Sequence, residues 1–313
     1  MPELPEVEVV RRGVESWAAG RTVTGAEIHD ARSLRRYAEG PEHFRRELIG
    51  RTLLAPERRG KFLWIPLAGG PDEVPGRALM IHLGMSGQVL MEAADAPLEK
   101  HLKVTLHLGA GTQRTEAEGA VADQLRFVDQ RIFGGMQISP LVPDSVVHGV
   151  DDVESRRVPA AAAHIAPDPL EAAMTAERFF RILRGRRTGL KRALLDQAMV
   201  SGVGNIYADE ALWRSRLHYA RRTETMTRAQ ASLLLTSLQD VMGDALAAGG
   251  TSFDALYVNV NGASGYFDRS LSAYGQEGRR CPRCMTPIRR EKFMGRSSYF
   301  CPTCQPVPQN ARW

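Results

Sequence analysis

Near the start of the chain, apolar residues recur at Val7, Val10, Val14 and Trp17, and Gly20 follows them. That spacing predicts a helix over residues 5–19, closed by the glycine. Pro5 suits the first helical position, and Glu6 and Glu8 suit a first turn whose N–H groups favour negative charge. From about residue 22 to 140 the period shortens. Residues 62–65 and 79–83 are short apolar runs, while Leu102, Val104, Leu106 and Leu108 alternate with Lys103, Thr105 and His107 as in a half-buried strand. Gly69-Gly70-Pro71 and Gly109-Ala110-Gly111 punctuate the runs. Many short strands behind one leading helix predict a β-sandwich.

Beyond Pro140 the pattern dissolves. Pro143, Pro159, Pro167 and Pro169 and an alanine run mark residues 141–169 as a linker. Helical spacing then returns. Thr175 can cap a helix through Phe179, Phe180 and Leu183, and a second is expected over 189–199. A third is expected from Asn205, after the turn Gly202-Val203-Gly204. Thr227 with Gln230 forms a capping box for a fourth, with Leu234, Leu235, Leu238, Val241, Met242 and Leu246 as its stripe and Gly249-Gly250 as its stop. Residues 251–278, rich in Gly, Ser, Asn and Tyr, read as a functional loop. The expected α+β, multidomain organisation is a sandwich over 1–140, a linker, a helical domain over 170–270, a cysteine ribbon over 271–305 and a tail over 306–313.

Composition adds the partner. The 313 residues are 43% hydrophobic, enough for two domains with cores, and the net charge of +5 suits a polyanion. Only Lys61, Lys100, Lys103, Lys191 and Lys292 of the 41 basic residues are lysines. Arginine forks suit phosphates, although a GC-rich genome produces the same bias. The acidic start has no secretory pattern, and no run is long enough to cross a membrane. All four cysteines lie in the last tenth of the chain, which favours a metal site in a reducing compartment over disulfides.

Four stretches carry candidate chemistry. Cys281-Pro-Arg-Cys284 and Cys301-Pro-Thr-Cys304 have zinc-knuckle spacing, and four thiolates close a structural tetrahedron with no open position. Arg279, Arg280, Arg283, Arg289, Arg290, Lys292 and Arg296 lie in or beside the ribbon, as a phosphate-binding surface or a solvated charged face. Pro2 becomes a secondary amine if the initiator Met is removed, with Glu3 and Glu6 beside it. An α-amino group titrates near pH 8, so at neutral pH a fraction is nucleophilic and can form a Schiff base. His82-Leu83-Gly84-Met85-Ser86-Gly87 and Asp129-Gln130-Arg131-Ile132-Phe133-Gly134 each set a large side chain among glycines. Such tips can wedge into a base stack or serve as ordinary filler. Gly202 to Tyr207 heads a helix whose first N–H groups can hold a phosphate, and Arg184, Arg186, Arg187, Lys191 and Arg192 lie upstream.

In chain order, Met1-Pro2-Glu3-Leu4-Pro5-Glu6-Val7-Glu8, the 82–87 loop, the Gly202–Tyr207 turn and the four-cysteine ribbon resemble the bacterial formamidopyrimidine-DNA glycosylases, repair enzymes for 8-oxoguanine. The resemblance covers nearly the whole chain and implies an amino-terminal β-sandwich, a helix–two-turns–helix domain and a zinc ribbon, with DNA across the cleft. It implies that Pro2 attacks C1′ of the damaged nucleotide, that Glu3 is the general acid/base and that Glu6 supports the site. Lys61 would assist β-elimination and grip phosphate, and Arg296 would bind phosphate and serve δ-elimination. Met85, Arg131 and Phe133 would fill the hole left by the flipped base. His82, His101, Arg131, Arg186, Lys191 and Asn205 would contact DNA, and residues 253–267 would read the lesion. The implied cofactor is one structural zinc ion. The implied partner is damaged double-stranded DNA, handled by a cytoplasmic monomer with no membrane association. The alternatives are an oxidised-pyrimidine glycosylase of the endonuclease VIII type, against which Leu4 argues, and a non-catalytic zinc-ribbon DNA-binding protein. The chain departs from the family where Gln130 and Ile132 replace proline and arginine, and where Met285 replaces the glycine after the second cysteine.

Overall fold

The computed structural model describes residues 2–70, 73–109, 122–146, 156–250 and 270–312. These fall into two compact units, 1–164 with 249–265 and 165–248 with 266–313. The expected lesion-reading segment 253–267 lies outside the described residues.

The first unit begins with helix α1, Leu4–Ala18, one residue ahead of its expected start. Glu3 is its N-cap and Pro5 sits in its first turn. A capping box closes the end: the Glu3 side chain accepts the N–H of Glu6, while the Glu3 N–H donates to Glu6 Oε2 at 2.9 Å. Val7, Val10 and Val14 are buried, as their spacing requires, and Trp17 packs against the same core. Burying each valine is worth about 1.5–3 kcal/mol, so this face, not helix propensity, fixes α1 to the body.

Two antiparallel sheets enclose that core. One has the order β1-β7-β8-β6: β1 is Val23–Ile28, β6 Gly87–Glu92, β7 Leu102–Leu108 and β8 Gln124–Asp129. The other has the order β10-β9-β5-β4-β2, with β3 also pairing β4. Here β2 is Thr52–Leu53, β3 Glu57–Arg59, β4 Phe62–Ala68, β5 Arg77–His82, β9 Gly135–Pro143 and β10 Arg157–Pro159. Leu63, Ile65, Leu79, Ile81 and Ile138 from one sheet meet Val89, Val104, Leu106 and Phe127 from the other, with the α1 valines in the same cluster.

Three expectations are corrected. A second helix, α2, spans Gly40–Leu48 with Phe44 and Leu48 buried, so the sandwich has more than its one leading helix. β7 is covered on both faces rather than half-buried: Lys103 Nζ reaches Asp30 at 3.2 Å, and the Thr105 hydroxyl lies 3.0 Å from His29 Nε2. Within the stretch read as linker, β10 pairs β9, and Asp144 is buried against Arg59.

The second unit is helical around α3 Ala176–Arg184, α4 Leu190–Leu195, α5 Asn205–Arg214 and α6 Arg228–Ala247. Thr175 caps α3, and Thr227 with Gln230 makes the capping box of α6. α4 ends four residues before its expected limit, because the Asp196 carboxylate takes the Ala198 N–H in a local turn. The antiparallel pair β11 Arg289–Phe293 and β12 Arg296–Phe300 forms the ribbon, and β12 packs on α5.

Candidate active site and nucleic-acid interface

Pro2 and Glu3 are buried where the chain enters α1, and Glu3 is only 2% exposed. The capping box therefore holds the carboxyl of Glu3 and that of Glu6 in fixed places beside residue 2. α1 packs on β3 and β4, the hairpin whose turn is Gly60-Lys61. Glu8 joins the two. It lies 3.0 Å from Arg11 Nε, 2.9 Å from Arg12 Nε and 3.0 Å from Arg58 Nε on β3. Burial raises the Glu8 carboxyl, but hydrogen bonds from Arg11 and Arg58 and the charge of Arg58 outweigh it and bring the pKa to about 2.

The expected wedge residues stand on two loops that are packed backbone to backbone. Gly84 adopts φ +62°, and a Cβ there would come 2.9 Å from the Cα of Gly134. A Cβ on Gly134 would stand 2.9 Å from the Leu83 carbonyl oxygen. Only glycine permits this approach at either position. Asp129, 1% exposed, ties the loops from within: it accepts from Ser86 Oγ at 2.5 Å, the Arg131 N–H at 3.1 Å and the Gly134 N–H at 2.7 Å. The tips stay outside, with Met85 36% and Phe133 50% exposed. Arg131 is exposed too, and its guanidinium has no partner among the described residues. The geometry thus unites Met85, Arg131 and Phe133.

His82 ends β5, and its ring lies 5.4 Å from that of Phe62. Burial lowers its pKa to about 4, helped by the charges of Arg36, Arg35 and Lys61, so the imidazole is neutral at pH 7. The Gly84 N–H donates to Nδ1 at 3.2 Å, which places the ring proton on Nε2 as an available donor. His101 precedes β7 and is half-buried, and its carbonyl accepts the Asp129 N–H at 3.0 Å.

In the second unit, the four sulfurs of Cys281, Cys284, Cys301 and Cys304 lie within 4.8 Å of one another. Three separations are 4.0 Å for Cys281–Cys304, 3.3 Å for Cys284–Cys301 and 3.5 Å for Cys284–Cys304. A zinc–sulfur bond of 2.3 Å gives a tetrahedral edge of about 3.8 Å, so the cluster fits one structural zinc. Trp213 Nε1 points at Cys281 Sγ from 3.4 Å, and Arg283 stacks on the Trp213 ring at 4.0 Å. Met285 adopts φ +63°, the conformation that favours the glycine it replaces.

Arg296 is exposed beside the tight turn Met294-Gly295, and its guanidinium has no partner among the described residues. Arg279, Arg280, Arg289, Arg290 and Lys292 are exposed as well. Arg186 is exposed beyond α3, and its carbonyl accepts from Thr223 Oγ1 at 2.6 Å. Lys191 and Asn205 stand apart from this surface set. Lys191 is 0% exposed, with Nζ 2.6 Å from Asp209, and it donates to the Ser297 carbonyl at 3.1 Å. Asn205 Nδ2 donates to the same carbonyl at 3.0 Å. The side chain of Lys191, expected to contact DNA, is fully buried in the chain without DNA. Its charge is instead matched by a buried carboxylate, which also takes the Tyr299 N–H at 3.0 Å. Sequence reasoning gave no role to Asp209, Asp129 or Arg35. The last donates to the carbonyls of Ile132, Phe133 and Gly134.

Exposed apolar tips beside an unpaired arginine on the first unit suit a nucleic acid, and so, taken by itself, does the cationic ribbon built on four thiolates in the second. Family profiles sharpen that class. The formamidopyrimidine-DNA glycosylase N-terminal domain matches residues 1–136, its H2TH domain residues 165–256, and the zinc finger found in FPG and IleRS residues 278–307. A formamidopyrimidine-DNA glycosylase of Kineococcus radiotolerans is 56% identical over 319 residues, spanning 100% of both chains. One from Streptomyces coelicolor is 53% identical over 309 residues, spanning 99% of each. Among solved structures, MutM in complex with carbocyclic 8-oxo-G containing DNA aligns with a TM-score of 0.77 at 30% identity, over 97% of this chain and 100% of that one. The Lactococcus lactis Fpg complex with abasic-site DNA aligns with a TM-score of 0.77 at 29% identity, over 97% and 99%. The chain belongs to the formamidopyrimidine-DNA glycosylase family. Among the described residues no helix is long and apolar enough to cross a membrane.

Proposed function

We propose that the protein is a bifunctional DNA glycosylase and abasic-site lyase of base excision repair, acting on oxidised purines such as 8-oxoguanine in double-stranded DNA in the bacterial cytoplasm. The observation that carries it is full-length identity above half with a formamidopyrimidine-DNA glycosylase, in a chain that keeps Pro2 beside the Glu3–Glu6 capping box.

With Met1 removed, the Pro2 nitrogen attacks C1′ of the extruded nucleotide, and the bond from C1′ to the base breaks. Glu3 supplies the proton that the sugar or the departing base requires. The sugar ring opens to a cationic iminium on Pro2, an electron sink for the neighbouring carbon. Loss of the C2′ proton then expels the 3′ phosphate, and a second elimination expels the 5′ phosphate. Lys61 grips phosphate and assists the first elimination, and Arg296 serves the second. Met85, Arg131 and Phe133 occupy the space vacated in the stack, which offsets the cost of unstacking. His82, His101 and Arg186 contact DNA. Lys191 acts indirectly: with Asn205 it holds the Ser297 carbonyl, next in sequence to Arg296. The zinc shapes the ribbon, and no step passes through it.

Duplexes with a single 8-oxoguanine or a single oxidised pyrimidine test this reading. The 8-oxoguanine strand is expected to be cut preferentially, leaving phosphate at both ends of the gap. Preference for the pyrimidine would indicate the endonuclease VIII type, and salt-sensitive binding without cutting would leave a binding module.

A further inference from the structure

We propose that Arg35 is a positioning residue for base excision: its guanidinium holds the backbone of Ile132, Phe133 and Gly134, so that Arg131 and Phe133 project as one rigid wedge. The inference rests on the reading above, in which those two residues fill the space left by the lesion. One side chain makes all three contacts. Arg35 Nη1 donates to the Ile132 carbonyl at 2.6 Å and the Gly134 carbonyl at 3.1 Å, and Nη2 donates to the Phe133 carbonyl at 2.8 Å. A planar fork suits three successive acceptors, whereas an ammonium on a flexible stem does not.

The loop needs such a clamp. Gln130 stands where proline would stiffen it, and Ile132 is a β-branched residue at φ +55°, an unfavourable conformation for its type. Asp129 holds the two ends of the loop through the Arg131 and Gly134 N–H groups. Its carboxylate reaches none of the three carbonyls, which would otherwise turn to water. Arg35 comes to them from a separate part of the chain, just after the 3-10 turn Ala31–Leu34, which is pinned by Asp30. Residues on both sides of the contact, Ser33, Arg35, Gly134 and Gly135, line a cavity of about 380 Å³. The clamp leaves the Phe133 ring and the Arg131 guanidinium outside, so it orders the wedge without burying it.

Arg35→Ala should keep the fold, because Arg35 is exposed and Asp129 still ties the loop. Excision of 8-oxoguanine from duplex DNA should fall by about tenfold or more, the scale on which misplacement by an ångström acts. Borohydride trapping on a single-stranded abasic oligonucleotide, where there is no stack to fill, should stay within about twofold of wild type. Arg35→Lys keeps the charge but not the fork and should remain defective. Phe133→Ala should show the same split, and Arg35→Ala with Phe133→Ala should be no worse than the weaker single variant. Wild-type excision by Arg35→Ala would overturn the proposal, as would equal loss on both substrates or full rescue by lysine, which would mark a plain phosphate contact. If the wild-type protein itself left 8-oxoguanine uncut, the proposed function would fail before the role of Arg35 came into question.

Discussion

Glu8 shows how much one carboxylate can organise. It sits on α1 and takes Arg11, Arg12 and Arg58, so the helix that carries Pro2 and Glu3 is held to β3, close to the turn that carries Lys61. Its folded pKa of about 2 lies below the ordinary 4.5. Stability from a depressed carboxylate is fully present above the unfolded value and is lost as pH falls toward the folded one. Glu8→Gln should therefore destabilise the protein at pH 7 by on the order of 2–3 kcal/mol, and the gap from wild type should close between pH 4.5 and about 2. Urea denaturation at pH 7 and pH 3 checks this, and a gap of equal size at both would contradict it. The arrangement at this scale was legible where it depends on local spacing: two glutamates three residues apart after Pro2, which make a capping box, and four cysteines in two CxxC pairs, which cluster. It was not legible where partners are distant in sequence. Arg35 is one arginine among many until folding brings three carbonyls from residues 132–134 to it, and Lys191 reads as a DNA contact until Asp209 meets it.

Elements were legible in proportion to their apolar period. The valines of α1 and the capping box of α6 announce themselves, but α2 has only Phe44 and Leu48 to bury in nine residues and is otherwise mostly charged. Strand β10 was hidden for a related reason. Its three residues end in proline within a Pro- and Ala-rich stretch, and only pairing with β9 makes it a strand. Tertiary pairing overrides composition there. The same stretch supplies Asp144, whose carboxylate receives both terminal nitrogens of Arg59 with neither side chain exposed. That pair joins β3 to the end of β9, and the guanidinium beside Asp144 holds its carboxyl below the ordinary value despite burial. Asp144→Asn removes the charge that both terminal nitrogens of the buried Arg59 face and should cost about 3–5 kcal/mol, whereas an exposed pair would cost under about 1 kcal/mol. Chemical denaturation at pH 7 distinguishes the two.

At the scale of the whole molecule, each unit carries its own share of the proposed function. The sandwich unit holds Pro2, Glu3, the turn with Lys61 and the loops with Met85, Arg131 and Phe133. The helical unit holds the thiolate cluster and the arginine-rich ribbon. The proposed chemistry converges on a single atom, the nitrogen of Pro2, which can act only as a mature amino terminus. The most direct measurement is borohydride reduction of the protein with an 8-oxoguanine duplex, followed by proteolysis and mass spectrometry of the DNA-linked peptide. The account predicts a peptide that lacks Met1 and carries the sugar remnant on Pro2, and no adduct from a variant whose amino terminus is extended, although that variant still binds DNA. An adduct on Lys61, or equal trapping by the extended variant, would contradict it.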